Sequence, residues 1–225
     1  MTLADNIRSI RGRIDAAARR AGRSSDEIRL IAVSKMKSAA MIREAFAAGQ
    51  HLLGENYAQE LALKAEELKD LPIEWHFIGH LQKNKAKLVA KVAACMETID
   101  SITLAEAISR KAPNPIDCLI EVNIGSEEKK SGIASSGLEA LASRVAGLPN
   151  INLRGLMIIP PYDPDPEKSR PYFRKLKELL GELNKELPLP LKELSMGMSE
   201  DFEIALEEGA TIVRVGTAIF GERAQ

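Results

Sequence analysis

Eight times along this chain, a short apolar run gives way to a longer segment whose apolar residues recur every three or four positions. Short apolar runs bounded by turn residues read as buried strands, and the slower period that follows reads as helix. Strands are expected over 30–33, 51–53, 75–78, 96–99, 116–124, 153–159, 192–195 and 211–215. Helices are expected over 41–46, 56–68, 83–94, 103–111, 138–146, 169–187, 200–208 and 218–223. One more helix precedes them all, with Leu3, Ile7, Ile10, Ile14 and Ala18 on one face and Gly22 as its stop. Strands that alternate with helices pair in parallel through crossovers and are covered on their outer face. Eight such units in 225 residues match a (β/α)8 barrel of the TIM type with an extra N-terminal helix. An open doubly wound sheet would carry a glycine-rich turn after its first strand, and Ser34-Lys35-Met36-Lys37 is not one. No linker interrupts the rhythm, so residues 1–225 are expected to form a single domain.

Composition removes several functional classes. The formal charge is -1, from 31 Lys+Arg against 32 Asp+Glu, which lacks the cationic surplus of a general nucleic-acid binder. No uncharged apolar run approaches the ~18 residues of a membrane span. The N-terminal residues lack the basic and apolar regions of a signal peptide, so a cytoplasmic location is expected. Cys95 and Cys118 stand alone, with no histidine at metal-ligand spacing, so neither a disulfide framework nor a metal site is expected.

In such a barrel, chemistry collects at the C-terminal ends of the strands. Those ends are Ser34-Lys35, the segment 54–57, the segment 79–82, Asp100, Asn123, Pro160, the segment 195–199 and Gly216-Thr217. Barrels often hold phosphate with the loops after strands seven and eight and a short helix N-terminus. Here those loops are Ser195-Met196-Gly197-Met198-Ser199 and Gly216-Thr217, which read either as an anion cradle or as a cap and a tight turn. Lys35 is either a solvated charge or an amine in a poorly solvated barrel mouth, where desolvation lowers its pKa and favours attack on a carbonyl. Arg214 shares a strand face with Ile212 while Val213 and Val215 take the other. It reads equally as a ligand contact or as a buried ion pair with Glu121 or Asp100. His76 and His80 lack a common helix face and make an improbable metal pair. Lys83, Lys85, Lys87 and Lys91 read as a solvated basic face rather than an RNA patch.

Several stretches together match a known family. They are Ala32-Val33-Ser34-Lys35, Gly54-Glu55-Asn56-Tyr57-Ala58-Gln59-Glu60, and Trp75-His76-Phe77-Ile78-Gly79 with Leu81-Gln82 and Asn84-Lys85. Further along come Lys130-Ser131-Gly132, Arg154-Gly155-Leu156-Met157, Ser195-Met196-Gly197-Met198-Ser199, and the run from Val213 through Arg214, Gly216, Thr217 and Phe220 to Gly221. On these residues the chain resembles the pyridoxal-phosphate homeostasis proteins, single-domain relatives of the alanine racemase N-terminal barrel. The resemblance implies that Lys35 carries pyridoxal 5′-phosphate (PLP) as a Schiff base. It implies that Ser195, with the backbone of Met196 and Gly197, joins Gly216 and Thr217 around the phosphate. It also implies that Arg214 faces the pyridine nitrogen and that Asn56 lines the pocket beside the ring. A fixed cation there disfavours protonation of the ring nitrogen and weakens it as an electron sink. Two-domain racemases add a β-domain whose Tyr is the second base, and no such domain is expected here.

The implied function is intracellular vitamin B6 homeostasis, with PLP buffered or delivered and no catalytic residue or turnover. The expected partners are PLP, other B6 vitamers and PLP-dependent apo-enzymes, with no nucleic acid or membrane, and the chain is expected to be a monomer. The alternatives are a PLP-dependent amino-acid racemase and a Schiff-base aldolase that acts on a sugar phosphate without PLP.

Overall fold

The computed structural model describes residues 2–125, 131–188 and 190–221. Its strands are β1 (Arg29–Val33), β2 (Leu52–Glu55), β3 (Glu74–Phe77), β4 (Cys95–Ile99), β5 (Ile116–Asn123), β6 (Ile133–Ala134), β7 (Ile151–Met157), β8 (Glu193–Ser195) and β9 (Ile212–Val215). The hydrogen-bonded order is β4-β3-β2-β1-β9-β8-β7-β5, and a β4–β5 pairing closes it. Every pairing is parallel. The result is the expected eight-stranded barrel, with β6 added beside β5 through Val122↔Ile133 and Asn123↔Ala134.

The α-helices are α1 (Leu3–Arg20), α2 (Ala39–Ala47), α3 (Ala58–Glu67), α4 (Ala86–Ala90), α5 (Ile102–Lys111), α6 (Leu138–Ala146), α7 (Arg170–Glu186), α8 (Phe202–Glu207) and α9 (Thr217–Phe220). Strand alternation divides the apolar residues into two cores. Ile31, Leu52, Ile78, Cys95, Leu119, Met157 and Ile212 fill the barrel. Their neighbours, such as Leu30, Leu53, Phe77, Met96, Ile120, Leu156, Val213 and Val215, face outward and pack under the helices. Gly54 faces the barrel because nothing larger fits: a Cβ there would lie 2.6 Å from Ile31 Cγ2.

The N-terminal helix starts in a capping box, with Thr2 accepting from the Asp5 amide and Asp5 accepting from the Thr2 amide. Its apolar stripe packs against α8 and α9. Arg13 fastens it there, with two bonds of 2.8 and 2.9 Å to the Glu203 carboxylate and its guanidinium 4.6 Å over the Phe202 ring.

Several local expectations are corrected, among them the strand expected over 153–159, which is Ile151–Met157. The helix expected over 83–94 is a 3₁₀ turn, Lys83–Lys85, and then the short α4, because the Ala94 amide already bonds to Trp75 O in the barrel sheet. Sheet pairing overrides helix propensity there. β2 runs on to Glu55, and α3 begins at Ala58, two residues later than expected. The two-residue β6 is too short to leave a periodic signal. The last helix spans Thr217–Phe220, and the part expected beyond Gly221 lies outside the described residues. No described helix is long and apolar enough to cross a membrane.

Candidate functional site

The residues assigned to the cofactor from the sequence lie on or just after four consecutive strands, β2, β1, β9 and β8. β1 pairs with β2 through Val33↔Gly54 and with β9 through Ala32↔Val215, and β9 pairs with β8 through Ile212↔Ser195. That adjacency gathers the ends carrying Lys35, Asn56, Gly216-Thr217 and 195–199 along one side of the C-terminal rim.

Lys35 is half-buried in the turn that follows β1. Ile31 and Val33 pack in the barrel interior, and the strand ends at Val33, two residues before Lys35. On the next strand Asn56 is held by a backbone contact: a Cβ on Gly79 would fall 2.1 Å from Asn56 O, so the loops after β2 and β3 touch without side chains between them. The Oδ1 of Asn56 is buried and has no hydrogen-bond partner among the described residues. A buried amide left this way suits a polar ligand in the mouth.

The two phosphate-candidate loops share a backbone-rich surface. Gly216 packs against β1, where a Cβ on it would lie 3.4 Å from Val33 Cβ, and leads into Thr217, the exposed first residue of α9. Gly197 has φ +93, and a Cβ there would lie 2.8 Å from Phe202 Cα, so only glycine lets the loop run against the start of α8. Its carbonyl accepts from the Arg214 amide at 3.0 Å. Met196 is fully buried in the outer core, so it offers backbone alone.

Ser195 is oriented differently from what its assigned role suggests. Its hydroxyl is buried inside the barrel, donates to Glu97 Oε2 at 2.6 Å and accepts from Arg214 Nη1. Any share it takes in holding an anion therefore falls to its backbone. The expected ion pair of Arg214 with Glu121 or Asp100 is also corrected. Arg214 donates to Ser195 Oγ and, at 2.8 Å, to Ile158 O, and its nearest carboxylate is Glu97 at 3.9 Å.

Glu97 links this group to a second one. Its Oε1 lies 2.6 Å from His76 Nδ1, and His76 Nε2 lies 3.3 Å from the Arg29 guanidinium, which pairs with Glu74. A line of hydrogen-bonded groups thus crosses the barrel from Arg214 to its N-terminal end. Burial works against charge on Glu97, but the His76 hydrogen bond and the His76 and Arg214 charges hold its carboxyl below the usual range. For His76 burial opposes protonation, and the bonds with Glu74 and Glu97 outweigh it and raise its pKa. Hydrogen bonding with His76, helped by Arg29, holds Glu74 down at about 2. Cys95 lies close enough to His76 and Glu97 for all three to share an ion. No sequence spacing announces this, because the three come from two neighbouring strands and face the same interior.

Glu121 is a further carboxyl that the sequence offered only as a partner for Arg214. It is buried on β5, where desolvation and the Asp100 charge push its pKa up to about 7 against the pull of Arg214.

Known proteins share this sequence and this fold. The family model described as alanine racemase, N-terminal domain, matches residues 5–224. A protein of Aquifex aeolicus named pyridoxal phosphate homeostasis protein is 47% identical over 226 residues, covering 99% of each chain. The solved structure of PipY from Synechococcus elongatus with PLP bound superposes with a TM-score of 0.87 at 36% identity, covering 98% of this chain and all (100%) of that one. Alanine racemase from Corynebacterium glutamicum shares the fold, with a TM-score of 0.71 at 18% identity over 98% of this chain and 62% of its own.

Proposed function

The chain belongs to the alanine racemase N-terminal domain family, within it to the pyridoxal phosphate homeostasis proteins, and from that premise we propose that it holds PLP covalently on Lys35 for B6 homeostasis, without turning over a substrate. The observation that carries the reading is the convergence of Lys35, the buried and unpartnered Oδ1 of Asn56 and two glycine-bearing loops on neighbouring strand ends. These donors fit the group: an amine for an aldehyde, an amide for a ring substituent, and backbone N–H groups for a phosphate. When bound, PLP supplies an aldehyde that reacts reversibly with an amine, and an aromatic ring that can draw electrons.

The residues divide the work by depth. Gly197, Gly216 and Thr217 lie at the rim, where backbone can approach an anion closely. Arg214 lies one step lower, and Ser195, Ile158 O and Glu97 fix its guanidinium. Set beside the ring nitrogen of bound PLP, it would disfavour protonation there and weaken the ring as an electron sink. PLP-dependent apo-enzymes are the recipients this reading favours, and PLP and related vitamers the cargo.

The test is the visible absorption spectrum of the purified protein, before and after borohydride, with peptide mapping of the reduced product. We expect a yellow protein whose label maps to Lys35, and a Lys35→Ala protein that folds but retains no reducible PLP. A wild-type protein that stays colourless with added PLP would refute the reading.

A further inference from the structure

The turn that carries Lys35 is not relaxed. Met36 has φ 61, a left-handed conformation that a residue with a side chain adopts only when its surroundings impose it. The side chain of Met36 is mostly exposed, so packing is not what imposes it. A partly buried polar cluster, drawn mostly from the next βα unit, meets the turn instead. The Met36 amide donates to Glu60 Oε1 at 2.5 Å, and the same oxygen accepts from Lys64 Nζ at 2.6 Å. Lys64 Nζ also donates to Ser34 O at 2.7 Å and to Glu55 Oε1 at 2.7 Å. Glu55 Oε1 accepts in turn from the Ser34 hydroxyl at 2.6 Å. Both neighbours of Lys35 are therefore tied to one network, whose lysine is buried and whose Glu55 is fully so. Burying a lysine and a carboxylate is expensive unless each is paired. Here Lys64 meets two carboxylates and the Ser34 carbonyl beside one short turn, and only Oε1 of Glu55 is paired, its Oε2 having no partner among the described residues.

From this geometry we propose that Glu60, supported by Lys64 and Glu55, is a positioning residue that holds the 34–37 turn in its strained form and so presets Lys35 for PLP. The inference rests on Lys35 being the PLP-bearing residue and extends it to Glu55, Glu60 and Lys64. Loss of the Glu60 acceptor frees the Met36 amide, lets the turn relax toward an ordinary φ and moves Lys35 away from its partner loops.

The experiment is a PLP titration followed by visible absorbance and borohydride trapping, run beside thermal melts of each protein. Glu60→Ala should weaken covalent PLP uptake about tenfold with only a small change in melting temperature. Glu60→Gln keeps an acceptor oxygen and should recover most of the uptake. Met36→Gly in the Glu60→Ala background should recover it too, because glycine takes a positive φ without strain. Should Glu60→Ala fail to fold, Met36→Val decides: it strains the exposed turn without touching the network and should weaken uptake. Glu60→Ala that titrates like wild type, or a loss that neither Gln nor Met36→Gly relieves, overturns the proposal. A wild-type protein that takes up no PLP overturns the underlying reading along with it.

Discussion

Arg214 is a guanidinium buried in a barrel core, and everything around it answers to that. Burial lowers its pKa, while the charges of Glu97, Asp201 and Glu121 oppose the shift. Glu97 does most for it geometrically, since it receives the Ser195 hydroxyl that Arg214 in turn donates to. Removing one member of a buried ionic group leaves its partner uncompensated. Glu97→Gln is therefore expected to destabilise the protein by about 3 kcal/mol, read from urea denaturation. A loss of only a few tenths would mean that Ser195 and Ile158 O suffice for Arg214. Lys35 and Arg214 were both visible in the sequence as charges on otherwise apolar strands. Glu97 was not, because a glutamate between Met96 and Thr98 looks like any exposed strand position until the barrel closes around it.

At the level of elements, the site depends on strands that approach without side chains between them. Gly155 in β7 is the tightest case: a Cβ there would sit 1.9 Å from the Glu193 backbone oxygen. Its partner is main chain and cannot turn aside, so β7 and β8 would have to part. Gly155→Ala is expected to cost about 3 kcal/mol and to lower the melting temperature, with the damage centred next to Ser195. A variant that melts like wild type would show that the β7–β8 register shifts at little cost. The helices were legible as periods and their ends were not. α4 is cut short where Ala94 joins the sheet, a tertiary bond that no local pattern reports.

For the whole molecule, the barrel interior sets the response to pH. Glu121 titrates at about 7 in the folded protein against 4.5 for an ordinary glutamate. Between those values the folded state keeps a proton that the unfolded state releases, so stability falls as pH rises through that window. The full difference corresponds to about 3 kcal/mol. His76, whose folded pKa is raised above 6.5, acts with the same sign: its contribution is complete below 6.5 and is lost as pH rises through the folded value. Glu74, held at about 2, contributes above 4.5 and loses that contribution only in strong acid. Melting temperatures should therefore decline from pH 5 to pH 8, and Glu121→Gln should flatten much of the decline. An unaltered slope in that variant would place the titrating group elsewhere.

The sequence by itself determined the architecture and which strand ends are candidates for the site. Short apolar runs against a 3.6-residue period are a local signal, and eight repeats of it leave few ways to bury the apolar faces. Strand ends then point to Lys35, Gly197, Gly216 and Thr217 by position, and the family resemblance adds Asn56. Tertiary structure decided the rest. It chose Glu97 over Glu121 and Asp100 for Arg214, turned the Ser195 hydroxyl inward, and bound the Lys35 turn to Glu60 and Lys64. Those are choices among side chains of similar chemistry brought within a few ångströms by barrel closure. Which carboxylate meets which cation depends on register and depth, and neither is written in the spacing of residues along one strand.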